Sequence, residues 1–173
     1  SDVFCNKSYE PHQIEKDLQI KNYLSKIGIN FNSYNSSLLW DPEKILKNDG
    51  NPYKVFTPFY RKGCLPSGDP RPPLPIYSPN IFRADDLISR LNALEDLMDE
   101  SWNNKNQTYW KVGEEEAFNQ LQVFLQNGIQ DYKDGRNFPE KLNVSRLSPY
   151  LHFGEISPNQ IWYEINDYDN NKN

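Results

Sequence analysis

The sequence has 173 residues, enough for one domain or parts of two, and carries 19 basic against 24 acidic side chains, a formal net charge of -5. That balance argues against a general nucleic-acid coat protein, whose footprint is strongly basic, while leaving room for a local basic patch that reads one DNA feature. No run of about 18 apolar residues is present, and the start "SDVFCNKSYEP" shows no secretory leader, so a cytoplasmic protein without a membrane span is expected.

Hydrophobic residues make up only 36%, but 14% of the chain is aromatic, and large rings bury much apolar surface per residue. Cys5 and Cys64 are too few and too far apart for a disulfide framework and are expected to be reduced thiols.

Val3-Phe4-Cys5-Asn6 is a short β-type run. Pro11 then opens a helical pattern reaching about Ile27, with Ile14, Leu18, Ile20, Leu24 and Ile27 over one broad side, and Gly28 ends it as a C-cap glycine does. Ile29 to Ser33 predicts a second strand. Strand, helix and strand within about 30 residues predict a parallel sheet. One such unit does not make a stable sheet alone, so the chain is expected to be cut from a larger α/β domain.

From Trp40 the signal changes. "DPEKILKNDGNPYKVFTPFYRKGC" is punctuated by turns and then gives a short amphipathic piece around Phe56, Phe59 and Tyr60. "LPSGDPRPPLPIYSPN", residues 65–80, holds six of the thirteen prolines and predicts an extended, semi-rigid linker. Arg83 to Asp99 is weakly helical. Glu114 begins a better helix, with Ala117, Leu121, Phe124 and Gly128 on one face, widened by Phe118 and Leu125. Its first turn carries Glu114, Glu115 and Glu116, where negative charge suits the helix dipole. After Gly135 the remainder is read as helical.

The stretch "VSRLSPYLHFGEISP", 144–158, carries the chemistry. Ser148-Pro149 and Ser157-Pro158 each have the form of a helix start, serine as N-cap and proline at the first position. Ser145 and Arg146 stand just ahead of the first. Two readings are open. Serines, a guanidinium and a helix start together cradle a phosphate or pyrophosphate. Alternatively the serines only cap, and Arg146 pairs with a nearby carboxylate. No metal centre, nucleophilic triad or P-loop is visible.

The same stretch closely resembles the flavin-binding signature of the DNA photolyase and cryptochrome family. "YKVFTPFYRKG", "YWKVGEEEAFNQLQVFL", "YKDGRNFP" and "NKSYEP" resemble other segments of that family in the family's order. The resemblance implies the central section of a class I-like member. The implied fold is α/β plus all-α: the C-terminal part of a Rossmann-like parallel α/β domain over 1–45, a long Pro-rich linker over 46–111, and the start of a helical FAD-binding domain over 112–173. It further implies that Tyr132, Val144, Ser145, Arg146, Leu147 and Ser148 line FAD, mostly at its phosphates, and that Arg136 touches the backbone of UV-damaged DNA.

The implied chemistry is light-driven electron transfer from reduced flavin to a pyrimidine dimer in a monomeric enzyme. A cryptochrome photoreceptor is the alternative. A second, antenna chromophore is possible but of unknown identity, because His12 and Gln13 stand where some relatives carry an Asn-Glu pair. Val144 stands where many members have threonine, so one hydroxyl is lost. No catalytic residue is assigned within the chain; Trp102, Trp110 and Trp162 are expected to pack, and His152 is expected to be a buried structural histidine.

Overall fold

Asp2–Asn6 forms strand β1, Pro11–Lys26 helix α1 and Asn30–Tyr34 strand β2. The strands pair in parallel, from Asp2 against Asn30 to Asn6 against Tyr34, so the expected β-α-β unit is present. Pro11 sits in the first turn of α1, where a missing N–H costs nothing. At the other end Ile29 N–H donates to Leu24 C=O and Gly28 N–H to Ser25 C=O, the paired bonds of a Schellman cap. Gly28 has φ +73°, the left-handed conformation this cap requires. Helix α1 buries none of its residues, and Ile14 and Leu18 stand exposed on it.

This computed structural model describes residues 1–75, 105 and 109–170. The weak helix expected over Arg83 to Asp99, Trp102 and the end of the Pro-rich stretch lie outside the described residues. The described chain forms two compact units, one joining Ser1–Pro72 with the C-terminal segment from Ser157, the other spanning Pro73–Ile156.

In the first unit, Phe56–Pro58 forms a helical turn, α2, that continues as a π-helical stretch, Phe59–Cys64, and a 3₁₀ turn, Leu65–Ser67. The stretch expected to be extended from Leu65 therefore opens helically. Gly63 explains the close packing there: a Cβ would stand 2.7 Å from Ile45 Cγ2 and 3.0 Å from Tyr53 Cε2. Helix α6, Pro158–Asn170, belongs to the same unit. Asn159, buried, donates to Arg71 C=O at 2.6 Å, and the Tyr163 hydroxyl donates to Pro70 C=O at 2.7 Å. Trp162 meets Trp40 edge to face at 5.4 Å, the packing role expected of it. Cys5 and Cys64 are free thiols.

The second unit is organised by α3, Glu114–Asn127. Its buried residues are Ala117, Leu121, Phe124 and Leu125, following the apolar periodicity of the sequence. Leu147, Tyr150 and Ile156 complete the core. The short helices α4, Tyr132–Gly135, and α5, Ser148–Phe153, follow, separated by irregular chain where the sequence predicted helix. Tyr150 ties the entry of α3 to α5: its hydroxyl donates to Lys111 C=O at 2.9 Å, and its ring lies 4.7 Å from that of Trp110. Glu155 accepts from Gly113 N–H at 2.9 Å.

Candidate functional site

The segment 143–148 leaves α4, crosses α3 and enters α5, and three anchors fix its path. Asn143 is 8% exposed and donates through Nδ2 to Gly128 C=O at 2.9 Å. Gly135 presses against the Asn143 side chain so closely that any Cβ there would overlap it. Gly128 has the same character, since its Cβ would stand 2.9 Å from Leu142 C=O. Leu147 is the second anchor, 3% exposed in the core. Gln120 on α3 is the third; its Nε2 donates to Ser145 C=O at 3.0 Å.

Between these anchors Arg146 takes φ +53°, the one non-glycine residue in the left-handed region among the described residues. That conformation costs an L-residue about 1–2 kcal/mol and persists only where the surroundings over-determine it. Leu147 follows with φ −87° and ψ −7°, in the right-handed region. Successive residues of opposite hand turn their N–H groups toward one side and make an anion-binding concavity. Among the described residues, no protein group accepts a hydrogen bond from the amides of Val144, Ser145, Arg146, Leu147 or Ser148. The donor set is therefore suited to an anion, which needs several N–H groups and no competing carboxylate.

Side chains add to this. Arg146 is exposed and forms no ion pair among the described residues, so the expected alternative of a carboxylate partner is not what this turn shows. Val144 and Ser148 are exposed and Ser145 half-buried, whereas Leu147 is committed to the core and offers only its backbone. Two expectations are corrected. Ser148 is not the N-cap of its helix: Leu147 holds that place, its carbonyl taking the first bond from Leu151 N–H at 2.9 Å, and no side-chain cap forms. Burial of Leu147 sets the entry angle, leaving Ser148 inside the first turn. With six residues α5 also sums few peptide dipoles, so its terminus offers an anion little beyond what the loop amides offer. Ser157 does cap, accepting from Gln160 N–H at 3.0 Å, but it caps α6 of the other unit. His152 is exposed and set edge-on to Phe153, not buried.

Tyr132 and Arg136 lie on the α4 turn. The Tyr132 ring is 40% exposed and meets Phe124 edge to face at 5.7 Å. The Arg136 guanidinium lies 5.4 Å from the Tyr132 ring centroid, a cation–π contact. The route from this turn to the 144–148 segment runs through Gly135 and Asn143. Gln120, Asn143 and Gly135 were not singled out from sequence, and Gly128 was read only as part of the helix face. A polar Gln120 between Ala117 and Phe124 on the core flank of α3 is the signal that was there to use. The surface clefts of the first unit, near Lys21 and Asn32 and near Lys47 and Lys62, contain none of the expected site residues. Among the described residues no three His, Cys, Asp or Glu side chains gather as a metal site would need, and no helix is long and apolar enough to cross a membrane.

Comparison with known proteins fits this architecture. The family described as DNA photolyase matches residues 1–76. Over 164 residues the chain is 31% identical to the deoxyribodipyrimidine photo-lyase of Agrobacterium fabrum, covering 93% of this chain and 34% of the relative. It is 28% identical over 171 residues to cryptochrome-1 of Arabidopsis thaliana, covering 95% of this chain and 24% of that protein. The crystal structure of a bacterial class III photolyase from Agrobacterium tumefaciens matches with a TM-score of 0.72 at 30% identity, over 94% of this chain and 34% of that one. The family match and these relatives at about 30% identity over most of this chain support its place in the DNA photolyase and cryptochrome family. The chain spans about a third of the length of the photolyase relatives it matches.

Proposed function

We propose that the chain is the central section of a deoxyribodipyrimidine photolyase and that Val144, Ser145, Arg146, Leu147 and Ser148, with Tyr132, hold FAD. The observation that carries this reading is the Arg146–Leu147 turn, where left- and right-handed residues follow one another and the amides from Val144 to Ser148 have no protein acceptor among the described residues. In this reading the diphosphate takes those amides, Ser145 and Ser148 add hydroxyls, and the unpaired Arg146 side chain adds charge. When bound, FAD supplies light-driven electron transfer to a cyclobutane pyrimidine dimer.

Arg136, held over Tyr132, contacts the phosphate backbone of UV-damaged DNA. The divisions 1–45 as α/β domain, 46–111 as linker and 112–173 as helical domain belong to the same proposal, as do a monomeric state, a cytoplasmic setting and an unidentified antenna chromophore. The test is to express the complete protein and measure bound flavin and blue-light-dependent removal of thymine dimers. A flavin-free protein would sink the reading. A second reading, a cryptochrome acting through partner proteins, draws on the similarity to the Arabidopsis cryptochrome over nearly the whole chain. A yellow protein without repair would favour it.

A further inference from the structure

Gln120 lies on the flank of α3 and donates through Nε2 to the Ser145 carbonyl at 3.0 Å, across 25 residues of sequence. That carbonyl and the Arg146 N–H belong to one planar peptide, which is trans. In a trans peptide the two groups point in opposite directions, so whatever holds the carbonyl also aims the amide. With Ser145 C=O drawn onto α3, the Arg146 N–H is turned away from α3. The left-handed φ of Arg146 carries the chain from that peptide into Leu147, whose side chain is locked in the core. Of the three anchors, Gln120 is the one that acts directly on a peptide inside the proposed phosphate turn. Asn143 and Leu147 hold its two ends.

We propose that Gln120 is a positioning residue for the nucleotide diphosphate: by holding Ser145 C=O it orients the Arg146 amide toward the phosphate side of the turn. The inference rests on the reading of 144–148 as the phosphate segment. Its particular claim is that a side chain on the opposite helix, touching no ligand, sets affinity for the diphosphate part of the cofactor and not for its isoalloxazine ring.

The experiment uses the complete protein, freed of flavin, with FAD and riboflavin as probes, since riboflavin has the ring but no diphosphate. Gln120→Met keeps the length of the side chain and removes the donor. FAD affinity is expected to fall about tenfold or more, the scale of one hydrogen bond to a charged group, while riboflavin affinity stays within about twofold. Gln120→Lys, which restores a donor, recovers FAD affinity to within about threefold of the native protein. Equal losses for both probes would show a general structural role and overturn the inference, as would unchanged FAD affinity. If Gln120→Met does not fold, Gln120→Glu against Gln120→Lys makes the same comparison of donor absent and donor present. Arg146→Glu separates this inference from the reading beneath it. Exposed Arg146 sits in the turn itself, so unchanged FAD binding in that variant removes the site altogether. Weakened FAD binding there, with Gln120→Met unaffected, removes only the role of Gln120.

Discussion

Gly135→Ala sets two physical effects of opposite sign against each other. Gly135 has no positive φ, so its backbone accepts alanine. On backbone entropy alone the substitution should stabilise by about 0.4–1 kcal/mol, because alanine restricts the unfolded chain. The packing predicts the reverse. The new Cβ would stand 2.6 Å from Asn143 Cβ and closer still to the rest of that side chain. Asn143 has nowhere to go, being 8% exposed and bonded to Gly128 C=O at 2.9 Å. Either the backbone shifts, at about 1–3 kcal/mol for overpacking, or the amide swings away and strands the Gly128 carbonyl, at about 1–3 kcal/mol. A net loss of about 1.3 kcal/mol, and at most about 2.6 kcal/mol, is expected once the entropic gain is set against either cost. Urea unfolding of the complete protein, followed through its tryptophan fluorescence, measures it. A midpoint equal to or above that of the native protein would refute the clasp of Asn143 between Gly128 and Gly135.

Ser157→Ala should cost about 1 kcal/mol through loss of the bond to Gln160 N–H, whereas Ser148→Ala should change stability by less than about 0.5 kcal/mol because its hydroxyl caps nothing; thermal melts of the two variants compare them directly. Tyr150→Phe should cost about 1 kcal/mol by stranding the Lys111 carbonyl. Burial raises the pKa of the Tyr150 hydroxyl, and the Glu116 and Glu155 carboxylates add to the rise. The folded protein therefore holds this proton more tightly than the unfolded chain, so the contribution is complete below about pH 10 and declines as pH climbs above it. Native protein and Tyr150→Phe should accordingly converge in stability in strong alkali, and a constant difference would contradict this. Arg136→Ala should weaken binding of UV-irradiated duplex DNA without regard to flanking sequence and reduce the salt slope by about 1, read from titrations at several salt concentrations.

Local signals in the sequence were reliable where one short segment decides its own structure. Pro11 and Gly28 bound α1, and the spacing of Ala117, Leu121 and Phe124 gives the buried face of α3, because capping and amphipathicity act within a few turns. Ser148-Pro149 and Ser157-Pro158 look alike in sequence, yet only Ser157 caps, since burial of Leu147 decides the first helix entry. The π-helical Phe59–Cys64 left no readable trace, for its hydrogen-bond register depends on packing such as that of Gly63 against Ile45. The candidate turn was legible as a string of residue types. Its shape was not, because Gln120 reaches it across 25 residues and the adjoining Asn143 is pinned to Gly128 across 15, and no local pattern announces such partners.

Helix α6 ties a late part of the chain to an early one: Tyr163 meets the Pro70 carbonyl 93 residues upstream, and Asn159 meets that of Arg71 across 88. During translation the Trp40–Pro72 region therefore emerges well before the helix that completes its hydrogen bonds. At roughly 5–20 residues per second the wait is on the order of 5–20 s. Through that interval the carbonyls of Pro70 and Arg71 and the face of Trp40 lack their eventual partners, so this unit completes its packing only once Tyr163 has been made.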